Sequence, residues 1–141
     1  MAVDHEIQAK DLHDAISAHD IEKVLSFYTD DIFFEQVWEG GVATHGKEEI
    51  KSVFKTMYTA FPDYRSDLKL CIVSGDRACY EWVMSGTHKG EFRGIPPTGK
   101  RVSLRVSTVA ELRGGKYSRI SLFLDSATIM RQLGLLPQTA K

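Results

Sequence analysis

The chain has 141 residues, of which 43% are hydrophobic, 26% charged and 10% aromatic. This suits one domain, residues 1–141, with a core large enough to stand without disulfide or metal staples. The 18 basic and 19 acidic residues nearly cancel, which leaves no electrostatic footprint for nucleic acid or an anionic membrane surface.

The N-terminus, Met1-Ala2-Val3-Asp4-His5-Glu6, lacks the basic start and apolar stretch of a signal peptide. No apolar run approaches the roughly 18 residues that a membrane span needs. A cytoplasmic location without membrane contact is therefore expected.

In chain order, Leu12, Ala15 and Ile16, then Ile21, Val24, Leu25 and Tyr28, recur at helical spacing. Asp20 is placed to cap a restarted helix, with Glu22 in its first turn. Ile32 to Trp38 reads as a short strand broken by Gly40-Gly41. After Gly46 a second helical stripe carries Ile50, Val53, Phe54, Met57 and Phe61, and Pro62 stops it.

Beyond Pro62 the period changes to two. Leu68 to Val73, Ala78 to His88, Val102 to Leu112 and Tyr117 to Leu124 read as strands. Turns at Gly75-Asp76, around Pro96-Pro97 and at Gly114-Gly115 separate them. Ser126 to Leu133 suits a last short helix ended by Gly134. Helices followed by an antiparallel meander predict an α+β domain with helices on one sheet face.

A two-residue turn at Gly75-Asp76 sets Cys71 opposite Tyr80 and Ile72 opposite Cys79. The two thiols then point to opposite faces, which argues against a disulfide. A two-residue turn at Gly114-Gly115 likewise sets Asp125 opposite Leu104, on the face of Val106, Thr108 and Phe123.

Several segments carry a resemblance. They are Ala60-Phe61-Pro62-Asp63, Ser74-Gly75-Asp76-Arg77, Gly86-Thr87-His88 through Lys100, and Asp125 with Met130 to Pro137. Together with the element order they resemble the SnoaL-like polyketide cyclase (ester cyclase) family. That resemblance implies the cone-shaped nuclear-transport-factor-2-like fold, with a pocket between sheet and helices. It also implies intramolecular ring closure or isomerisation next to a carbonyl, without a cofactor, on an apolar carbonyl-bearing small molecule. The family's acid/base aspartate falls at Asp125. The run before it, Arg119-Ile120-Ser121-Leu122-Phe123-Leu124, is more apolar than the family's usual polar and aromatic stretch.

Each candidate residue has two readings. Asp125 is a general base if the cone desolvates it, which would raise its pKa, or an N-cap of the last helix, which would lower it. His88, on the face of Tyr80, Trp82 and Met84, is a proton shuttle or a tie that holds the following loop. Glu35 lines the pocket or lies exposed on a strand edge. Trp38, Trp82 and Tyr28, with Tyr58, stack on a flat substrate or fill the core. Glu91 and Arg93 form an exposed ion pair or a pocket lid. No spacing of His5, His13, His19, His45 and His88 suggests a metal site, and the glycines before Lys100 fail as a phosphate loop because Pro96 and Pro97 lack amide donors.

Two alternatives stay open. One is a non-catalytic protein that binds a hydrophobic ligand or acts as a dimer scaffold. The other is an epoxide hydrolase or dehydratase, which needs several polar groups to hold water. A homodimer is expected across the outer sheet face, through Val109, Leu112 and the apolar residues of the last strand.

Overall fold

Two aspartates start the first two helices. In the computed structural model, which describes residues 4–38 and 41–137, the Asp4 carboxylate accepts from the amides of Glu6 and Ile7. Helix α1 (His5–Ser17) follows and buries Ala9, Leu12, His13, Ala15 and Ile16. Asp20 accepts from the Lys23 amide at 3.2 Å and opens α2 (Ile21–Ser26). The predicted break at Gly40 lies outside the described residues, as do Met1 to Val3.

Tyr28 corrects the first helical stripe. It begins strand β1 (Tyr28–Val37), which runs well ahead of the predicted start at Ile32. Spacing from Val24 and Leu25 put Tyr28 on a helical face. Pairing of β1 with a later strand overrides that periodicity, and the ring is buried either way. A three-residue strand that periodicity cannot detect, β2 (Ala43–His45), then pairs antiparallel with β1. Gly46, at φ 84°, turns the chain into α3 (Lys47–Ala60).

The remaining elements are β3 (Arg65–Ser74), β4 (Arg77–Thr87), β5 (Arg101–Arg113), β6 (Lys116–Phe123) and α4 (Ser126–Gln132). The strands form one sheet in the order β2-β1-β6-β5-β4-β3, antiparallel except where β1 meets β6. Strand β5 alternates strictly, with Val102, Leu104, Val106, Thr108, Ala110 and Leu112 facing the helices. This is the α+β arrangement, with helices on one sheet face, that the element order predicts, and the curved sheet fits the cone that the resemblance implies.

The two hairpins treat their registers differently. In β3–β4, Cys71 faces Tyr80 and Ile72 faces Cys79, so the thiols lie on opposite sheet faces as read from the sequence. In β5–β6 the two-residue turn is present, with Gly114 and Gly115 at φ 60° and 80°. However, Ser118 is an extra residue: Leu112 faces Tyr117 while Glu111 faces Arg119. The Ser118 hydroxyl bonds back to the Glu111 carbonyl at 3.3 Å. A bulge of one residue flips every later side chain to the other face. Phe123 therefore pairs with Ser107 on the outer face, and Ile120 and Leu122 turn inward. Leu112 also faces inward, at 7% exposure, so it does not join Val109 on the outer face.

The glycine-rich stretch after β4 docks onto the end of α3. The amides of Lys89 and Gly90 both donate to the Ala60 carbonyl, satisfying a helix terminus that would otherwise be left open. A Cβ at Gly90 would lie 2.1 Å from the Thr59 carbonyl oxygen, so only glycine permits this approach. Asp63 closes the same corner. It accepts from the Thr87 amide at 2.6 Å and the Thr87 hydroxyl at 2.8 Å.

Candidate functional site

Between the helices and the inner sheet face lies a cavity of about 80 Å³, several times the 10–15 Å³ or so that one water needs. The sheet supplies Phe34 and Gln36 from β1, Tyr80, Trp82 and Met84 from β4, Val106 and Thr108 from β5, and Ile120 and Leu122 from β6. Helix α1 supplies Leu12, His13 and Ile16, and α3 supplies Val53, Phe54 and Met57. Tyr28, Trp38, Phe61, Tyr64, Phe92, Leu124 and Ile129 complete the wall. The inward run Ile120, Leu122 and Leu124 is the segment whose apolar character set this sequence apart.

Several polar atoms of this wall are engaged by one another or by residues behind it, while Trp38 Nε1 is buried without a partner among the described residues. Trp82 Nε1 donates to Thr108 Oγ1 at 2.9 Å, and the Tyr80 and Tyr117 hydroxyls share a 2.5 Å bond. Gln36 Oε1 accepts from Arg93 Nη2 at 2.7 Å. The described lining includes no aspartate, glutamate, lysine or arginine. Its titratable groups are His13 and the tyrosines Tyr28, Tyr64 and Tyr80, whose phenols burial pushes up.

His13 is the residue that sequence reasoning passed over. It is 4% exposed, with its ring 5.2 Å from Trp82 and 6.1 Å from Tyr80. Nδ1 bonds Ser66 Oγ at 2.5 Å across the α1–β3 contact. Burial pushes the imidazole down to about 4, against the raising influence of Asp14 and Asp67. A signal was present: His13 falls between Ala9 and Ile16 on the apolar stripe of α1 and is a polar residue on a buried face.

The predicted site residues separate into two groups. Trp38, Trp82 and Tyr28 line the cavity. Glu35 does not: it projects from the opposite side of β1 to Phe34 and Gln36, accepting from Ser121 Oγ at 2.9 Å and Arg119 at 3.3 Å. His88 is fully buried but absent from the cavity wall, packed against Phe61 and Phe92 at 5.5 and 6.4 Å. Its Nδ1 accepts from the Thr98 amide at 3.2 Å, which ties the loop back to the strand. Nε2 is buried without a partner among the described residues.

Asp125 faces away from the cavity. It is exposed and caps α4, accepting from the Thr128 amide at 3.1 Å and the Thr128 hydroxyl at 2.8 Å. Those two bonds hold its carboxyl below the usual carboxylate range. The bulge at Ser118 is the physical reason that the face expected for it was the wrong one. Asp125 instead borders a shallow outer cleft with Val37, Glu81, Arg105, Ser107 and Phe123. Glu35 and Asp125 are both turned away from the cavity, so no pair of carboxylates meets inside it.

At the rim, the Arg93 guanidinium lies 4.5 Å over the Trp38 ring and 5.4 Å over Phe92. Glu91 Oε1 accepts from the Gly94 amide at 2.9 Å. Arg93 thus contacts three cavity residues, Gln36, Trp38 and Phe92, from the loop side. Among the described residues no three His, Cys, Asp or Glu side chains converge as a metal site would require.

Comparison with known proteins agrees with the fold. AclR from Streptomyces galilaeus, a candidate hydroxylase, superposes with a TM-score of 0.83 at 23% identity, covering 96% of this chain and 88% of AclR. IdmH from Streptomyces antibioticus, a candidate polyketide cyclase, gives 0.80 at 24% identity, covering 94% and 99%. TsrD from Streptomyces laurentii gives 0.82 at 20% identity, covering 96% and 100%. No curated protein matches in sequence. The family model of the SnoaL-like polyketide cyclases matches residues 7–133, and the chain belongs to that family.

Proposed function

We propose that this protein is a cyclase-like small-molecule enzyme. It folds an apolar, carbonyl-bearing molecule into the cavity for ring closure or isomerisation next to the carbonyl. The observation that carries this reading is the wall itself: an aromatic and aliphatic enclosure with no aspartate, glutamate, lysine or arginine in its described lining, several of whose polar atoms are already hydrogen-bonded. Such a wall excludes water and holds two parts of one flexible molecule together. Fixing reacting atoms in this way removes much of the entropic part of a barrier. Family membership supports the same class of reaction, while fold alone does not choose the chemistry.

Asp125 has no part as the base in this reading, because it caps α4 outside the cavity. Water-dependent chemistry is also disfavoured, since the described lining has no carboxylate to hold and activate a water. The absence of a carboxylate from the described lining favours one second reading, in which the cavity binds its ligand without turning it over.

The test is calorimetric titration with 1-indanone, a flat bicyclic ketone of the kind a ring closure leaves behind. The wild-type chain and Asp125→Asn should bind it alike, because asparagine caps nearly as well as aspartate. Leu122→Trp, which fills the cavity from β6, should abolish binding with the fold retained by circular dichroism. Equal binding by Leu122→Trp would place the ligand elsewhere and sink the reading.

A further inference from the structure

The buried pair His13–Ser66 has a consequence for which ligands the cavity accepts. Ser66 is 3% exposed, and its hydroxyl bonds His13 Nδ1. Its backbone is held separately, with the Ser66 amide donating to Ser17 Oγ at 2.8 Å and Ser17 Oγ donating to the Ser66 carbonyl at 3.0 Å. Ser66 Oγ therefore sits at a fixed point on β3, and α1 holds the ring against it.

Two tautomers fit the 2.5 Å contact, and hydrogen-bond satisfaction ranks them. If Nδ1 carried the proton, the Ser66 hydroxyl would accept it, and its own buried proton would have no partner among the described residues. If Ser66 donates instead, its proton and the Nδ1 lone pair are satisfied together. A buried donor left unpaired is costly, so the second arrangement is favoured and the ring proton resides on Nε2. That atom makes no hydrogen bond among the described residues, and the ring lines the cavity.

We infer that His13 is a neutral hydrogen-bond donor to a carbonyl or enolate oxygen of the ligand, with Ser66 as the positioning residue that fixes its tautomer. The inference rests on the proposed reading that the cavity takes an apolar ketone, and it names the group that selects the ketone. Four features support it. The imidazole is the one nitrogen heterocycle in the described wall besides the indoles of Trp38 and Trp82. Trp82 Nε1 is already spent on Thr108 and Tyr80 is paired with Tyr117, while the unpartnered Trp38 Nε1 is itself buried, on a ring covered by the Arg93 guanidinium at the rim. The depressed pKa keeps the ring uncharged at neutral pH, so it polarises an oxygen without surrendering a proton. A neutral imidazole also suits an apolar site better than a cation, whose burial is expensive.

The chemical class follows from this. The ligand carries an acceptor oxygen on a flat apolar body, and that oxygen lies on the α1 and β4 side of the cavity, near Trp82. A hydrocarbon of the same shape fits the walls but makes no bond to His13.

The experiment compares 1-indanone with indane, which has the same skeleton without the carbonyl, on the wild-type chain, His13→Phe and Ser66→Ala. The ratio of the two affinities is the readout, so general changes in cavity shape cancel. The ratio should shift against the ketone by about three- to tenfold in His13→Phe, the size of one neutral hydrogen bond. Ser66→Ala should give a smaller shift in the same direction. Infrared difference spectra should show the carbonyl stretch of bound 1-indanone lowered in the wild type and restored in His13→Phe, a change that a purely structural role would not produce. An unchanged ratio and stretch in His13→Phe would overturn the inference and point to another donor such as Tyr64. If neither compound binds the wild-type chain, the reading of the cavity as a ketone site fails and the inference falls with it.

Discussion

Asp125 takes the second of its two sequence readings, the N-cap, and the cavity wall holds His13 instead. Asp125 matched the family's aspartate, yet its two oxygens are both engaged by Thr128. His13 looked like one histidine among five, yet it stands in the cavity wall. The difference has a measurable consequence in acid. The unfolded imidazole takes a proton near its ordinary 6.5, whereas the folded one does so only near 4. Between those values the unfolded state binds more protons, so stability is full above about pH 6.5 and falls as the pH drops through 4. The loss amounts to roughly 3 kcal/mol. Denaturant unfolding across pH 4 to 7 should show this slope in the wild type and not in His13→Phe. Slopes that coincide would mean that His13 titrates normally. Of the predicted ligand residues, Trp38, Trp82 and Tyr28 were legible because large aromatics on inward faces have few other places to go. Glu35 was not, because its face depends on pairing with β2 and β6, which periodicity alone does not reveal.

At the scale of elements, legibility followed the local signals. Caps, the proline stop after α3 and the glycine turns are each written in a few adjacent residues, and they located the elements to within a few positions. The face of β6 was misread because a one-residue bulge shifts the apolar phase within the strand: Tyr117 and Ile120 are both inward despite a spacing of three. The stretch from Gly86 to Lys100 shows the reverse case. It works as a joint, in line with the reading of His88 as a tie for the following loop, with Asp63 on Thr87, the Ala60 carbonyl on Lys89 and Gly90, and Thr98 on His88. A Cβ at Gly90 meets backbone rather than a flexible side chain. Gly90→Ala should therefore lower stability by about 1–3 kcal/mol, as overpacking does. Thermal unfolding checks this, and a neutral effect would mean that the joint is looser than the hydrogen bonds suggest.

For the molecule as a whole, two surfaces of the sheet have separate tasks. The inner face and the helices make the cavity. The outer face exposes Val37, Ile72, Val109 and Phe123, at 40 to 58%, and Ile72, Cys79 and Val109 lie in register across three strands. We propose that a second copy covers this strip. Sedimentation should then show a dimer that Val109→Lys with Phe123→Lys dissociates, and a monomeric wild-type chain would refute the proposal. A crystal structure with 1-indanone bound tests the inner face as the ligand site. The ring should lie between Trp82, Phe34 and Val106, with the ketone oxygen within hydrogen-bond distance of His13 Nε2. A ligand seated instead in the outer cleft beside Asp125, or in the cavity with its oxygen turned away from His13, would contradict it.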